Sequence, residues 1–225
     1  MVVIREESAP KLDPERTALI CIDLQHMCSS PGCGSFSGIT EHECYESEYG
    51  YYFRRIQKTV VPNVKTLQEK FRSKGMEVIH FHIQALTRDG RDRSLEHKRL
   101  GLLAIPGSHE AEFLPEIAPT EDEIVMPKTA SGAFNCTNID YLLRNLGVDH
   151  LIVVGCLTSE CVETFVRDAA DRSYQVTVPE DATAALSEEI QNSSISAMSG
   201  TYAHIATTME VVTMLDQGGL RVRGK

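Results

Sequence analysis

The chain lacks any long apolar run. No hydrophobic stretch approaches the roughly 18 to 20 residues of a spanning helix, and mean hydropathy is −0.18, so no membrane partner is expected. The N-terminus, MVVIREESAPKLDPERTA, mixes charges and lacks the apolar core of an export signal. Positive charge is also scarce: 22 Lys and Arg against 32 Asp and Glu leave a formal net charge of −10. That balance argues against nucleic acid or an anionic surface as the main partner, although a local pocket can still be positive. The cysteines number seven, an odd count, and are expected as reduced thiols in a cytoplasmic protein. No C-x-x-C redox motif, internal repeat or low-complexity segment occurs.

What is present is a 225-residue chain with 42% hydrophobic residues, enough for one sizeable α/β domain over residues 1 to 225. Short apolar runs alternate with longer amphipathic segments. Thr17 to Asp23, Met76 to His82, Glu123 to Met126, His150 to Val154 and Tyr174 to Val178 read as strands, and Thr208 to Met214 as a last one. Between them, helices are expected at about Tyr51 to Lys74, after Thr137 or Asn138, at about Ser159 to Arg172, and at about Ser187 to Gly200. Gly75 stops the first of these, and Pro62 either kinks it or marks its true start. Alternating strands and helices with continuously apolar strands predict a doubly wound, Rossmann-like α/β fold. Its mainly parallel sheet has about six strands, with helices on both faces. Residues 29 to 52 read as an insertion, with Tyr45, Tyr49, Tyr51 and Tyr52 available for a lid or a subunit contact, and the tail from 216 as a flexible arm.

Ligands of open parallel sheets bind outside the carboxyl ends of the strands. Asp23 follows LICI, Lys128 follows EIVMP, and Cys161 follows LIVVGCLTSE at the start of a helix. Each alone has an ordinary reading: a capping carboxylate, a solvated lysine, a small core residue. Together they suggest an acid, an ammonium and a thiol meeting at one end of the sheet. A helix N-terminus and a neighbouring Lys128 would lower the Cys161 thiol from its reference near 8.5. Cys28, Cys33 and Cys44 lie near His26 and His42, but C-x4-C with H-x-C is not a zinc spacing, and unligated thiols are the simpler reading.

The segments ALICIDLQ (18–25), DEIVMPKTASGAFNCTNIDYLLRNLGVDHLIVVG (122–155) and CLTSECVETFVRDAADRSYQVTVPEDATAA (156–185) resemble, in order, the isochorismatase-like cysteine hydrolases. That family includes nicotinamidases and the N-carbamoylsarcosine, ureidoacrylate and biuret amidohydrolases. The resemblance covers about residues 14 to 214 and is weak over residues 29 to 120. It implies a catalytic triad of Asp23, Lys128 and Cys161, with Cys156 as a packing residue. It further implies a non-proline cis bond at Leu157–Thr158, an oxyanion hole from the N–H groups of Thr158 and Cys161, and a homo-oligomer, dimer or tetramer. The D-x-H metal motif of nicotinamidases does not follow His80 and His82, so neither metal nor cofactor is expected. True isochorismatases lack a nucleophilic cysteine, so Cys161 argues against vinyl-ether cleavage.

The expected function is therefore a metal-independent cysteine amidohydrolase acting on a small amide, ureido or carbamoyl compound, with release of ammonia. Gln25, His82, Gln84, Phe134 and Leu157 are substrate-binding candidates by position. Gln25 could equally bond its own loop, His82 could simply pack, and Phe134 could belong to the core. Arg167 and Asp168 read as a structural pair or cap. Three other readings stand beside this one: a binding protein that keeps the fold, a nicotinamidase-type amidase, and a thiol redox protein using Cys156 and Cys161.

Overall fold

The structure, a computed structural model, describes residues 9–217. Its seven strands are β1 (Thr17–Ile22), β2 (Glu77–Ile83), β3 (Ile124–Lys128), β4 (His150–Cys156), β5 (Gln175–Pro179), β6 (Thr183–Ala184) and β7 (His204–Ala206). They form a single sheet in the order β3-β2-β1-β4-β5-β7, with β6 beside the end of β4. Every pairing is parallel. The sheet has seven strands against about six expected: five match the expected runs, and Thr183–Ala184 and His204–Ala206 are too short to carry a periodic signal.

All six residues of β1 and all seven of β4 are buried, as central strands covered on both faces must be. Successive residues feed opposite layers. Leu19, Cys21, Ile152 and Val154 pack with Val64, Leu67 and Phe71 of one helix layer. Ala18, Ile20, Ile22, Leu151 and Val153 pack with Phe165, Val166 and Leu143 of the other. The chain leaves β1 to build β2 and β3 on one side, then crosses back to β4, β5 and β7. The switch point therefore lies between β1 and β4, where such sheets open a crevice at their carboxyl ends. At Gly155 (φ +124°), opposite Ile22, a Cβ would lie 2.0 Å from the Ile22 carbonyl oxygen, so only glycine fits.

The expected helix at 51 to 74 is continuous from Gly50 to Ser73, through a π turn at Ile56–Val60, and Pro62 opens its final segment, Val61–Ser73. Lys74 follows, and Gly75 adopts φ +68°. The 187–200 helix is Glu188–Met198, capped by the Ser187 hydroxyl, which accepts from the Ile190 N–H. Thr208 to Met214 is not a strand: Thr208–Gln217 is a helix. Its buried residues, Thr208, Val211 and Leu215, recur at helical spacing. Thr207 and Glu210 cap it reciprocally, Thr207 N–H to the Glu210 carboxylate at 2.7 Å and Glu210 N–H to the Thr207 hydroxyl at 3.2 Å. The T-x-x-E signal at 207–210 was in the sequence and outweighs the β-branched residues behind it. Residues 216 and 217 belong to this helix, and the rest of the expected arm lies outside the described residues.

Residues 29 to 52 fold onto the body. Phe36, Cys44 and Tyr52 join the main core cluster, and the Tyr52 hydroxyl donates to the Cys28 carbonyl at 2.6 Å.

His150, at the start of β4, sets a pH dependence. It is buried, with Nε2 2.9 Å from the Thr177 hydroxyl, and burial pushes its imidazole down to about 4. The unfolded chain protonates this ring near pH 6.5. Between those values the unfolded state binds a proton that the folded state does not, so stability falls as pH falls. The expected slope is about 1.4 kcal/mol per pH unit, or roughly 3 kcal/mol across the window. Urea unfolding of wild type and His150→Gln between pH 7 and pH 4 checks this. Parallel curves for the two proteins would refute it.

Candidate active site

Three strand ends converge at the switch point. Asp23 follows β1 in the left-handed region at φ 55°, a conformation unusual for a non-glycine residue and one that concentrates at functional sites. Its N–H donates to the Phe81 carbonyl at 3.0 Å. Lys128 ends β3, its backbone opposite Ile83. Cys161 lies in a π turn, Thr158–Val162, that opens the Glu163–Asp171 helix.

Lys128 Nζ lies 2.8 Å from Asp23 Oδ2, donates to Cys161 Sγ at 3.3 Å and donates to the Ala130 carbonyl at 3.1 Å. Asp23 and Lys128 are fully buried, and Cys161 is 5% exposed. The Asp23–Lys128 contact is an ion pair by distance but lacks hydrogen-bond direction, so both Asp23 oxygens remain buried without a partner of that kind. Burial alone would lower the Lys128 ammonium, but the Asp23 carboxylate and Cys161 raise it above its ordinary value. It is held charged.

The Cys161 thiol departs from the expectation of a lowered pKa. Burial raises it, Lys128 pulls it down, and the Asp23 carboxylate raises it again. The first and third effects win, so the resting sulfur is a thiol beside an ion pair. The helix-terminus argument omitted both dehydration and a carboxylate within reach.

Cys156 turns away from this group. Its Sγ donates to the Asp23 carbonyl at 3.3 Å, and burial pushes it up to about 12. The cis peptide is Cys156–Leu157, one bond earlier than expected. Leu157, half-buried, accepts from Glu160 N–H at 3.1 Å and Val162 N–H at 3.2 Å. Those bonds leave aside the amides of Thr158 and Cys161. The Thr158 hydroxyl donates to Gln191 Oε1 at 2.7 Å, and Gln191 Nε2 donates to the Thr183 hydroxyl at 3.0 Å. Gln191, which sequence reasoning missed, thereby ties the Cys161 turn to β6.

The other candidates are distributed around the group. Gln25 is spent on the backbone: Nε2 donates to the Ile83 and Glu110 carbonyls at 2.9 and 2.7 Å, and Oε1 accepts from Ile83 N–H at 2.5 Å. His82 is buried with Nδ1 2.8 Å from the Ala111 carbonyl, stacked on Phe113. Gln84 is half-buried, and its N–H donates to the Lys128 carbonyl at 3.1 Å. Phe134 packs on Phe165 under the Arg172 guanidinium, within the apolar cluster that includes Cys161. Arg167 and Asp168 do not pair with each other but with Glu163 and Arg172, one helical turn away.

Among the described residues, Cys28, Cys33 and Cys44 do not gather with His26 and His42 within ligating distance. Among the described residues, the one set of three side chains with ligand atoms within 4.8 Å is His26, His109 and Glu112. The two rings stack at 4.0 Å. Stacked rings do not point their nitrogen lone pairs at a common ion. His80 Nε2 lies 3.0 Å from Glu123 in a separate cluster.

A second group, also missed, lies beside Lys128. The Ser94 N–H donates to the Thr129 carbonyl at 2.9 Å, anchoring the short Leu95–Arg99 helix beside Lys128. Glu96 there accepts from the Ser131 hydroxyl at 3.2 Å. His97 is 1% exposed, with neither ring nitrogen hydrogen-bonded. Sequence offered no signal for it, since residues 87 to 119 are largely irregular.

This fold and strand-end arrangement define a class. The Isochorismatase domain model matches residues 17–210, and the chain belongs to the isochorismatase family of hydrolases. The ureidoacrylate amidohydrolase RutB of Caulobacter segnis is 30% identical over 227 residues, covering 93% of this chain and 90% of that one. A cysteine hydrolase from Pseudomonas syringae pv. phaseolicola superposes with a TM-score of 0.79 at 23% identity, over 95% of this chain and 100% of that one. An isochorismatase family protein from Desulfovibrio vulgaris gives 0.73 at 27% identity, over 89% and 98%.

Proposed function

We propose that this protein is an amidohydrolase that cleaves the C–N bond of a small amide, ureido or carbamoyl compound, with Cys161 as nucleophile. The observation that carries the reading is the contact of Lys128 Nζ with Asp23 at 2.8 Å and Cys161 Sγ at 3.3 Å, all three buried. An ion pair and a thiol removed from water cost stability that packing alone would not require. The similarity to a ureidoacrylate amidohydrolase at 30% identity points to the same chemistry.

The cycle uses these groups alone. Asp23 takes the Cys161 proton as sulfur attacks the carbonyl carbon, and the C–O π electrons move to oxygen. The amides of Thr158 and Cys161 receive that oxyanion. As the intermediate collapses, Asp23 returns the proton to the departing nitrogen and ammonia leaves, giving a thioester. Asp23 then removes a proton from water, whose oxygen attacks the thioester. Collapse frees the acid or carbamate and returns a proton to sulfur. Lys128 stays charged throughout, positioning Asp23 and stabilising sulfur when it is a thiolate. Burial of the three groups favours this exchange, since charge interactions strengthen where water is excluded.

The test is ammonia release from a panel of primary amides, ureides and carbamoyl amino acids, for wild type and Cys161→Ala with chelator present. Release by wild type alone supports the reading. Equal release by both removes Cys161 from the chemistry.

A further inference from the structure

Gln191 lies one turn inside the Glu188–Met198 helix, whose start the Ser187 hydroxyl caps. It occupies the face that this helix buries, with Ser194 and Met198. A leucine or methionine there would pack without needing partners. An amide must be hydrogen-bonded to be buried at tolerable cost. Gln191 is 2% exposed, and Thr158 and Thr183, which it bridges, have no exposed surface.

The bonds of this group run in one direction. The Thr158 hydroxyl donates to Gln191 Oε1 at 2.7 Å, Gln191 Nε2 donates to the Thr183 hydroxyl at 3.0 Å, and that hydroxyl donates to the Glu180 carbonyl at 3.3 Å. Gln191 Nε2 also donates to the Glu180 carbonyl at 3.4 Å. Arg55 holds the same segment, Nε donating to the Thr183 carbonyl at 2.8 Å and Nη2 to the Glu180 carbonyl at 2.7 Å. The Gln191 amide is thus spent at both ends, and the chain of bonds is anchored at a guanidinium. A fully satisfied buried network rigidifies what it joins.

The other end of the chain is Thr158. One stiff rotation separates its hydroxyl from its own backbone nitrogen, because the side chain is β-branched. Pinning the hydroxyl therefore pins the nitrogen. In the Thr158–Val162 turn the Leu157 carbonyl takes the N–H groups of Glu160 and Val162 and not those of Thr158 and Cys161.

We propose that Gln191 is a positioning residue: through the Thr158 hydroxyl it aims the Thr158 N–H at the oxygen of the tetrahedral intermediate formed on Cys161. This rests on the amidohydrolase reading and adds to it a distant side chain that acts on the oxyanion and not on the thiol.

Two reagents separate those effects without a known substrate. Iodoacetamide alkylates Cys161 by displacement of iodide and develops no oxyanion. Propionaldehyde adds reversibly: sulfur bonds to the carbonyl carbon, the C–O π electrons move to oxygen, and the thiol proton passes to Asp23. The rate of Cys161 alkylation is read by peptide mass mapping over a range of propionaldehyde concentrations, and the protection gives the aldehyde affinity. Losing an oxyanion donor outright costs about 10²–10³-fold. Gln191→Met, which loosens a donor and keeps the side-chain length, should weaken the aldehyde about tenfold and leave the iodoacetamide rate within about threefold of wild type. Thr158→Val should match it, and Thr158→Ser, which keeps the hydroxyl, should recover most of the affinity. The double variant Thr158→Val with Gln191→Met should be no worse than either single one, since both break one link.

Unchanged aldehyde affinity in Gln191→Met would overturn the proposal. So would an alkylation rate that falls as far as the affinity, the result of a merely structural glutamine, or losses that add in the double variant. The comparison of Thr158→Val with Thr158→Ser keeps the test decisive where Gln191→Met does not fold. Failure of the amidohydrolase reading looks different: wild-type Cys161 inert to iodoacetamide, or ammonia release that survives Cys161→Ala. Either also removes the proposal.

Discussion

Ammonia release by Cys161→Ala is expected to fall by roughly 10⁴-fold or more, since removing the proposed nucleophile leaves only binding and oxyanion stabilisation. The fold should survive. Cys161 packs in the apolar layer with Phe165 and Val166, and losing one sulfur there costs about 1–2 kcal/mol by analogy with small buried truncations. Cys161→Ser separates geometry from chemistry. It keeps a group able to meet Lys128 and Asp23 but replaces a thiol with a far less acidic hydroxyl. It should be nearly as inactive as the alanine variant. The intact enzyme should also show a rising alkaline limb. Burial and Asp23 place the thiol above its free value, so direct alkylation of Cys161 gains rate as pH climbs beyond about 8.5. Alkylation already complete at pH 6 would contradict the protonated resting state.

Lys128→Met is expected to damage stability and catalysis together. The methionine fills much of the stem's volume, but Asp23 would be left as an unpaired carboxylate with no exposed surface. Breaking a buried pair from one side costs about 3–5 kcal/mol. Activity should fall by at least about 10²-fold, the scale of lost proton-transfer assistance. The double variant Asp23→Asn with Lys128→Met is the informative control. It removes both charges, so much of the stability should return, because uncharged replacements of buried pairs are often neutral or stabilising. Activity should not return. Urea unfolding with parallel ammonia assays reads both outcomes. A double variant as unstable as the single one would mean that packing, and not charge, is what Lys128 supplies there.

Much of the layout is local and therefore legible. Apolar runs bounded by turn residues mark β1, β2 and β4, because a strand buried on both faces must be apolar along its length. Asp23 immediately after β1 and Lys128 at the end of β3 stand out as polar residues at strand ends, and Cys161 stands out through its position past a strand and before a helix. The misreadings have physical sources. The final helix at Thr208–Gln217 was hidden by β-branched residues whose tertiary burial follows a helical period. The direction of the Cys161 shift was misjudged because a helix terminus is visible in sequence while desolvation is not.

From its sequence alone, then, the chain determined an alternating α/β order, a parallel sheet and the three residues standing at its strand ends. Only the tertiary structure decided that Lys128, two strands away from Asp23 in the sheet, reaches Asp23 and Cys161 at once. It alone tied Thr158 to Gln191 across 33 residues of chain and buried His97 with neither ring nitrogen hydrogen-bonded. Periodicity reports which face of an element is buried. It carries no information on which distant segment covers that face, and such pairings depend on strand order and crossover paths that no local pattern encodes.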